Sequence, residues 1–226
     1  MKIAVLGTGG VGQALAGRLA ELGHDVTVGT RDVAATMART GPDGMGNPPF
    51  SAWTPAHPSV KLAAFADATA AAELVVNATS GSVSIAILTT AGADHLAGKI
   101  VLDISNPLDF SRGFPPTLFV KDTDSLGEQI QTAFPQAKVV KTLNTLTAAL
   151  MVRPKLLADG AHSVFVSGND AEAKKTVTGL LESFGHTDVI DLGDISTARG
   201  TEMVLPIWLL LMGSLNTRMF NFKIVR

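Results

Sequence analysis

Residues 2–31 read KIAVLGTGGVGQALAGRLAELGHDVTVGTR, and this stretch decides the fold. A short apolar run ends at Gly7. Val11, Leu15, Leu19 and Leu22 then recur at helical spacing, while Gln13, Arg18 and Glu21 fall off that stripe. Gly23 stands where a helix C-terminus favours a left-handed residue, and a second apolar run, 25–30, follows at once. Strand, glycine turn, helix and strand in that order predict a βαβ unit of a parallel sheet.

Within this unit GTGGVG satisfies G-x-G-x-x-G through Gly7, Gly9 and Gly12, and Ala16 is the small residue where the helix crosses the sheet. The motif alone is weak. Placed after a strand and at the opening of a helix, it predicts dinucleotide binding; the alternative is a tight turn and nothing more. In the binding reading Gly7 permits the turn, Gly9 removes the side chain that would strike a pyrophosphate, and Gly12 lets helix and strand approach. The N–H groups of Gly10, Val11 and Gly12 then face the phosphates at the positive end of the helix dipole, and Thr8 adds a hydroxyl.

The end of the second run chooses between cofactors. An acid there binds the adenosine ribose hydroxyls of NAD, but this chain has Gly29 at that place, followed by Thr30 and Arg31. A guanidinium holds a 2′-phosphate through parallel charge-assisted bonds and stacks on adenine. The pair predicts NADP. The competing reading makes Arg31 a surface residue paired with Asp32.

Further along, the apolar runs 60–65, 73–79, 99–105, 138–143, 162–168 and 188–194 alternate with helical patterns, and several are apolar throughout, as strands covered on both faces are. The fold expected is α/β, a Rossmann-type, doubly wound, mostly parallel sheet with a C-terminal helical extension. A helix is expected over 170–185, capped by Asn169 or Asp170 and stopped by Gly185, and another over 82–96. Residues 40–59, rich in Gly and Pro, read as a long excursion between strands, and 106–124 as a second irregular stretch. Residues 1–194 form the NADP-binding domain in this reading. Residues 195–226 add a helical segment broken at Gly200 or Pro206 and a terminal strand, packing on the same domain or on a second subunit.

A chain of 226 residues supports one cored α/β domain with an extension. With 46% hydrophobic and 17% charged residues it is apolar enough to predict a homodimer interface. The net charge of −2 and the lack of a basic run argue against nucleic acid. The zero cysteine count removes disulfides, thiolate catalysis and zinc–cysteine sites and fits a cytoplasmic protein. No signal-peptide pattern opens the sequence, and the apolar run 203–213 is too short to span a bilayer. The histidines, at 24, 57, 95, 162 and 186, show no metal-ligand spacing, and His24 and His186 follow helix-ending glycines as caps. Asp103 reads as a strand-end acid bonded to local backbone. Ser80 and Ser82 lack a histidine–acid partnership.

MKIAVLGTGGVGQALAGRLAELGHDVTVGTRD, VVNATSG at 75–81, VLDISNPL at 101–108, VVKTLNTL at 139–146 and the closing FNFKIVR together resemble the NADP-dependent oxidoreductases typified by the NADPH:deazaflavin (coenzyme F420) reductase of archaea and actinobacteria. The resemblance implies that Thr8, Thr30 and Arg31 receive the adenosine end. It implies that Ala78, Thr79 and Ser80 lie along the ribose and nicotinamide, with Asn106 and Pro107 at the next strand end and Asn144 beside the nicotinamide. Some relatives carry histidine in place of Asn144, and some a second cation just after the arginine, where this chain has Thr36 and only later Arg39.

Hydride transfer between flat rings needs close apposition and exclusion of water rather than a side-chain acid, so no catalytic residue and no metal is expected. The partner is a small-molecule hydride acceptor, deazaflavin or flavin-like. Met203, Leu205, Pro206 and Trp208 either wall that acceptor or pack. Asn144 either orients the carboxamide or caps the helix after it. Imine or carbonyl reduction would need a proton donor, for which a tyrosine-free chain offers Lys141; a ferric chelate is a further acceptor, and a non-catalytic NADPH sensor is the reading from another class.

Overall fold

The computed structural model describes residues 1–43 and 46–226. The strands are β1 (Lys2–Leu6), β2 (Asp25–Thr30), β3 (Lys61–Ala64), β4 (Leu74–Asn77), β5 (Ile100–Asp103), β6 (Leu108–Asp109), β7 (Thr117–Leu118), β8 (Lys138–Thr142), β9 (Ser163–Gly168) and β10 (Asp188–Gly193). The helices are α1 (Gly10–Glu21), α2 (Val33–Met37), α3 (Phe50–Trp53), α4 (Phe65–Ala70), α5 (Ser84–Ala91), α6 (Ala93–Leu96), α7 (Leu126–Ala133), α8 (Ala148–Val152), α9 (Ala171–Phe184), α10 (Ala198–Met203) and α11 (Leu205–Leu215).

Eight strands form one sheet in the order β10-β9-β8-β5-β4-β1-β2-β3. The six from β8 to β3 are parallel; β9 meets β8 antiparallel and β10 runs parallel to β9. The doubly wound, mostly parallel α/β fold is therefore present. One apolar cluster, including Val5, Leu15, Leu19, Val28 and Val140, covers one face, and a second, including Leu6, Phe65, Val75 and Leu88, covers the other. That double burial is why the strands read as continuous apolar runs. The order reverses beside β1, between β2 and β4, and ligand crevices open at such switch points at the carboxyl ends of strands.

Several boundaries differ from expectation. The helix expected over 82–96 breaks at Gly92, whose φ of +100° no L side chain adopts readily, leaving α5 and α6. Among its described residues the excursion 40–59 contains α3 and a 3-10 turn at Thr54–Ala56. Residues 106–124 carry the small β6–β7 hairpin. In the extension the break falls at Val204, between α10 and α11; Gly200 stays helical and Pro206 sits in the first turn of α11, where proline is tolerated. The tail FNFKIVR is not a strand: it lies extended on β9, with Ser163 N–H donating to the Phe222 carbonyl and the Ile224 N–H to the Ser163 hydroxyl, both at 2.9 Å. Helix α9 behaves as read, capped by Asp170 and closed by left-handed Gly185. No helix among the described residues is long and apolar enough to cross a membrane.

Candidate functional site

A cavity of about 550 Å³ opens at the carboxyl ends of β1, β2 and β4. Gly7, Thr8 and Gly9 form its floor, Thr30 and Arg31 one wall, and Ala78, Thr79 and Ser80 the wall opposite. These expected residues thus meet in one place. Gly10, Val11 and Gly12 lie beside the floor without lining it, and Asn106, Pro107 and Asn144 stand outside the cavity.

The glycines are where their backbones require them. Gly7 has φ of +122°, and a Cβ there would lie 2.6 Å from the Ala78 carbonyl. Gly12 packs against the turn so closely that a Cβ would meet the Gly7 carbonyl at 2.0 Å. At Gly9 the space is open. The first helical bond of α1 runs from Gln13 N–H to the Gly9 carbonyl, so the N–H groups of Gly10, Val11 and Gly12 precede the helical ladder. A helix start with free donors behind an open glycine is an anion site.

Gln13, off the apolar stripe of its helix, is nonetheless buried, because its amide donates to the carbonyls of Thr8 and Pro48, each at 2.9 Å. It ties the excursion after α2 to the glycine turn. A polar residue placed just after the motif was the available signal.

At the end of β2 the glycine has a second cause. A Cβ at Gly29 would fall 2.6 Å from the Leu6 side chain and 3.2 Å from the Phe65 ring, so a side chain there would press on the core beneath the cavity. The Thr30 hydroxyl is buried and pairs with that of Thr36 at 2.7 Å. Arg31 is exposed and forms no ion pair among the described residues; Asp32 caps α2 instead, accepting the Ala35 N–H at 2.8 Å. Arg39 lines the same cavity, a second cation that sequence spacing did not place there, since it depends on the turn of α2 and the chain leaving it. Phe65 and Ile87 add apolar lining.

Beyond the cavity, the side chains of Asn106 and Asn144 bind one another. Asn106 donates to the Asn144 carbonyl at 3.0 Å, while the Asn144 amide nitrogen donates to Asn106 Oδ1 at 3.1 Å and to the Thr201 carbonyl at 3.0 Å. Asn144 therefore does not cap the helix after it; Thr147 precedes α8. Beneath this pair, Lys141 Nζ lies 2.8 Å from Asp103 and 2.8 Å from Glu202, with the lysine and Asp103 side chains wholly buried. Asp103 is thus an ion-pair partner rather than a cap for local backbone alone. Burial pulls the Lys141 pKa down, and Asp103 and then Glu202 more than reverse it, leaving it above the ordinary lysine value. Asp103 also accepts from the Asn77 amide nitrogen, and Asn77 Oδ1 accepts the Thr79 hydroxyl at 2.6 Å. Of the apolar candidates in the extension, Leu205 is buried, Met203 is exposed, and Trp208 packs on Phe220 with ring centroids 5.1 Å apart. No metal-binding cluster occurs among the described residues.

Similarity to known proteins bears on this geometry. Residues 2–107 match the family model described as NADP oxidoreductase coenzyme F420-dependent. A crystal structure from Arthrobacter sp. FB24, provisionally described as an F420-dependent NADP-reductase, is 67% identical, covers 100% of both chains and superposes with a TM-score of 0.96. Metalloreductase STEAP3 of Rattus norvegicus is 30% identical over 92% of this chain and 38% of its own length. The F420-dependent NADP reductase of Methanocaldococcus jannaschii is 31% identical over 50% of this chain and 51% of its own. The chain thus spans about half or less of these two curated relatives.

Proposed function

This chain belongs to the coenzyme F420-dependent NADP oxidoreductase family, and from that premise we propose that it transfers hydride between NADPH and the deazaflavin ring of coenzyme F420 or a flavin-like acceptor. The observation that carries the reading is one cavity that joins the glycine turn to Arg31, at the end of β2, and to Arg39, beyond α2, with glycine where an acid would stand. In it Arg31 and Arg39 hold the 2′-phosphate, Phe65 and Ile87 flank the adenine, and Gly7 to Gly12 receive the pyrophosphate. Ala78, Thr79 and Ser80 lie along the near ribose. The dinucleotide then runs along the carboxyl edge of the sheet toward Pro107, Asn106 and Asn144.

NADPH supplies the hydride, and the protein's share is placement. Both hydrogens of the Asn144 amide are taken by Asn106 and Thr201, so only its carbonyl oxygen remains to accept from a carboxamide N–H. A proton donor for carbonyl or imine reduction is not at hand: Lys141 is buried between two carboxylates that hold its proton. This favours an acceptor ring that takes hydride directly. The extension reaches this end through Thr201, whose carbonyl accepts from Asn144.

Residues 1–194 serve as the cofactor domain in this reading, and 195–226 as the extension that carries self-association. Helix α11 leaves Ile207, Leu210 and Leu215 47%, 59% and 53% exposed, and a second copy of the chain covers them in a cytoplasmic homodimer. Leu210→Asp, followed by sedimentation velocity, yields monomer if so.

The activity test mixes the protein and NADPH anaerobically with F420, FMN, a ferric chelate or a carbonyl panel while absorbance of the reduced nicotinamide is followed. Oxidation with F420 or FMN is the expected result. Turnover only with ferric chelate or carbonyl compounds, or with nothing, overturns the acceptor assignment.

A further inference from the structure

Asn77, Asp103 and Lys141 stand in one row across the sheet: the register pairs Asn77 of β4 with Asp103 of β5, and Asp103 with Lys141 of β8. All three are buried. Lys141 Nζ donates to Asp103 Oδ2 at 2.8 Å, while the Ser105 hydroxyl and N–H donate to Oδ1 at 2.7 and 3.2 Å. A carboxylate held in this way has only acceptor capacity to offer the next member of the row.

That fixes which way the Asn77 amide points. Its Nδ2 donates to Asp103 Oδ1 at 2.8 Å and to Ser84 Oγ at 3.1 Å, so its Oδ1 turns toward Thr79. The Thr79 N–H, which can only donate, reaches that oxygen at 3.4 Å, and the Thr79 hydroxyl gives its proton to the same atom at 2.6 Å. A hydroxyl has a single proton. Toward Ser84 Oγ, 2.9 Å away, and toward the cavity that it lines, Thr79 Oγ1 is left with lone pairs alone.

A ligand group that meets this oxygen has to bring its own hydrogen. A ribose O–H does so; a phosphate oxygen does not. We propose that Thr79 accepts a hydrogen bond from a ribose hydroxyl of NADPH, and that Asn77 and Asp103 are positioning residues that set the sense of that bond. The proposal rests on the assignment of the cavity to NADPH given above. It gives the buried Lys141–Asp103 pair a task beyond holding β5 to β8, since the polarity of the row is passed to the cofactor wall. An acceptor on this wall also turns phosphate oxygens toward the glycine turn opposite.

The test is equilibrium binding to the intact protein, read by nicotinamide fluorescence, of NADPH and of analogues in which each free ribose hydroxyl in turn is replaced by hydrogen or by fluorine. Fluorine can accept weakly and cannot donate. At one position the deoxy and fluoro analogues both bind wild type more weakly than NADPH, by roughly two- to ten-fold. Thr79→Val, but not Thr79→Ser, loses the same factor with NADPH and nothing with those two analogues. Asn77→Ala, which frees the Thr79 hydroxyl to turn, weakens NADPH binding within that range, and in the Thr79→Val background it changes the affinity no further. Losses that add in the double variant overturn the positioning role. A fluoro analogue that binds wild type as well as NADPH does, where the deoxy analogue does not, shows Thr79 donating and overturns the proposal whether or not Asn77→Ala folds. Deoxy analogues that match NADPH at every position overturn it while leaving the cofactor site in place. A wild-type protein that fails to bind NADPH overturns the cofactor assignment and this proposal with it.

Discussion

The amino group of Lys141, on β8, lies 2.8 Å from the carboxylate of Asp103, on the neighbouring strand β5, and neither side chain reaches solvent. Glu202, from α10, closes the group on the other side and accepts the N–H groups of Leu126 and Gly127 at the start of α7, at 2.8 and 3.0 Å. One buried cation therefore joins two strands of the sheet to the extension, below the strand ends where Asn106 and Asn144 meet.

Replacing Lys141 by Met removes the cation and leaves two carboxylates buried face to face. Breaking a buried pair in this way costs about 3–5 kcal/mol, so the urea midpoint of Lys141→Met falls markedly. The pH course has a definite sign. The folded pKa is raised above the ordinary 10.5, so the contribution is complete below that value and is lost only as pH climbs through the folded one. Urea titrations of wild type from neutrality to mild alkalinity accordingly show no loss traceable to this group.

Arg31→Ala lowers NADPH affinity while sparing NADH. A charge-assisted bond contributes roughly 1.5–3 kcal/mol, which is about ten- to a hundred-fold. Arg39→Ala moves the NADPH-to-NADH ratio in the same direction, since Arg39 lines the same cavity. Fluorescence titration with both cofactors measures the ratios, and an unchanged ratio in both variants removes the 2′-phosphate assignment.

Which parts of this molecule could be read in advance follows from how local their causes are. The eight strands of the main sheet were legible because each is an apolar run bounded by turn residues, and the glycine turn because strand, motif and helix follow one another along the chain. The β6–β7 hairpin pairs two residues on each side, too few to carry a period. Lys141 stands in the run KVVKTL, where a lysine reads as a strand-end cation; its burial depends on Asp103 and Glu202, supplied by other elements. Arg39 reaches the cavity because of the course the chain takes after α2, a tertiary event without a local sequence signal. Gly29 was legible as a missing acid, whereas the Leu6 and Phe65 side chains that crowd that position were not.

Gly9 and Gly12 separate binding from folding. A methyl at position 12 would fall 2.0 Å from the Gly7 carbonyl, a backbone atom that cannot yield without moving the turn. Overpacking of this kind costs about 1–3 kcal/mol or more, so Gly12→Ala lowers the melting temperature. At position 9 the only atom of the described residues within 4 Å of an added Cβ is Asp43 Oδ2, at 3.9 Å, and Gly9→Val folds with nearly wild-type stability. It fails to bind NADPH, because the side chain fills the approach to the turn. Thermal melts and cofactor titrations on the two variants give opposite patterns.

One source of acid sensitivity is the buried His186. Its ring is buried, with Nε2 2.9 Å from the Met151 carbonyl, and the His162 ring stands edge-on with centroids 6.2 Å apart. Burial lowers the pKa below the ordinary 6.5, and the charge of His162 pushes the same way, against the Met151 carbonyl, which favours the proton. Between the folded and unfolded values the unfolded chain binds more protons, so stability rises with pH across that window. The contribution is present above about pH 6.5 and is lost as pH falls through the folded value. His186→Gln, which keeps a donor for Met151 and cannot become a cation, flattens the urea midpoint against pH in this range. Loss at still lower pH persists in the variant, because Asp170 and Asp188 hold pKa values below the ordinary 3.8 through the Ala173 N–H and Lys223 respectively. A midpoint that declines identically below pH 6.5 in wild type and variant would assign the transition to other groups.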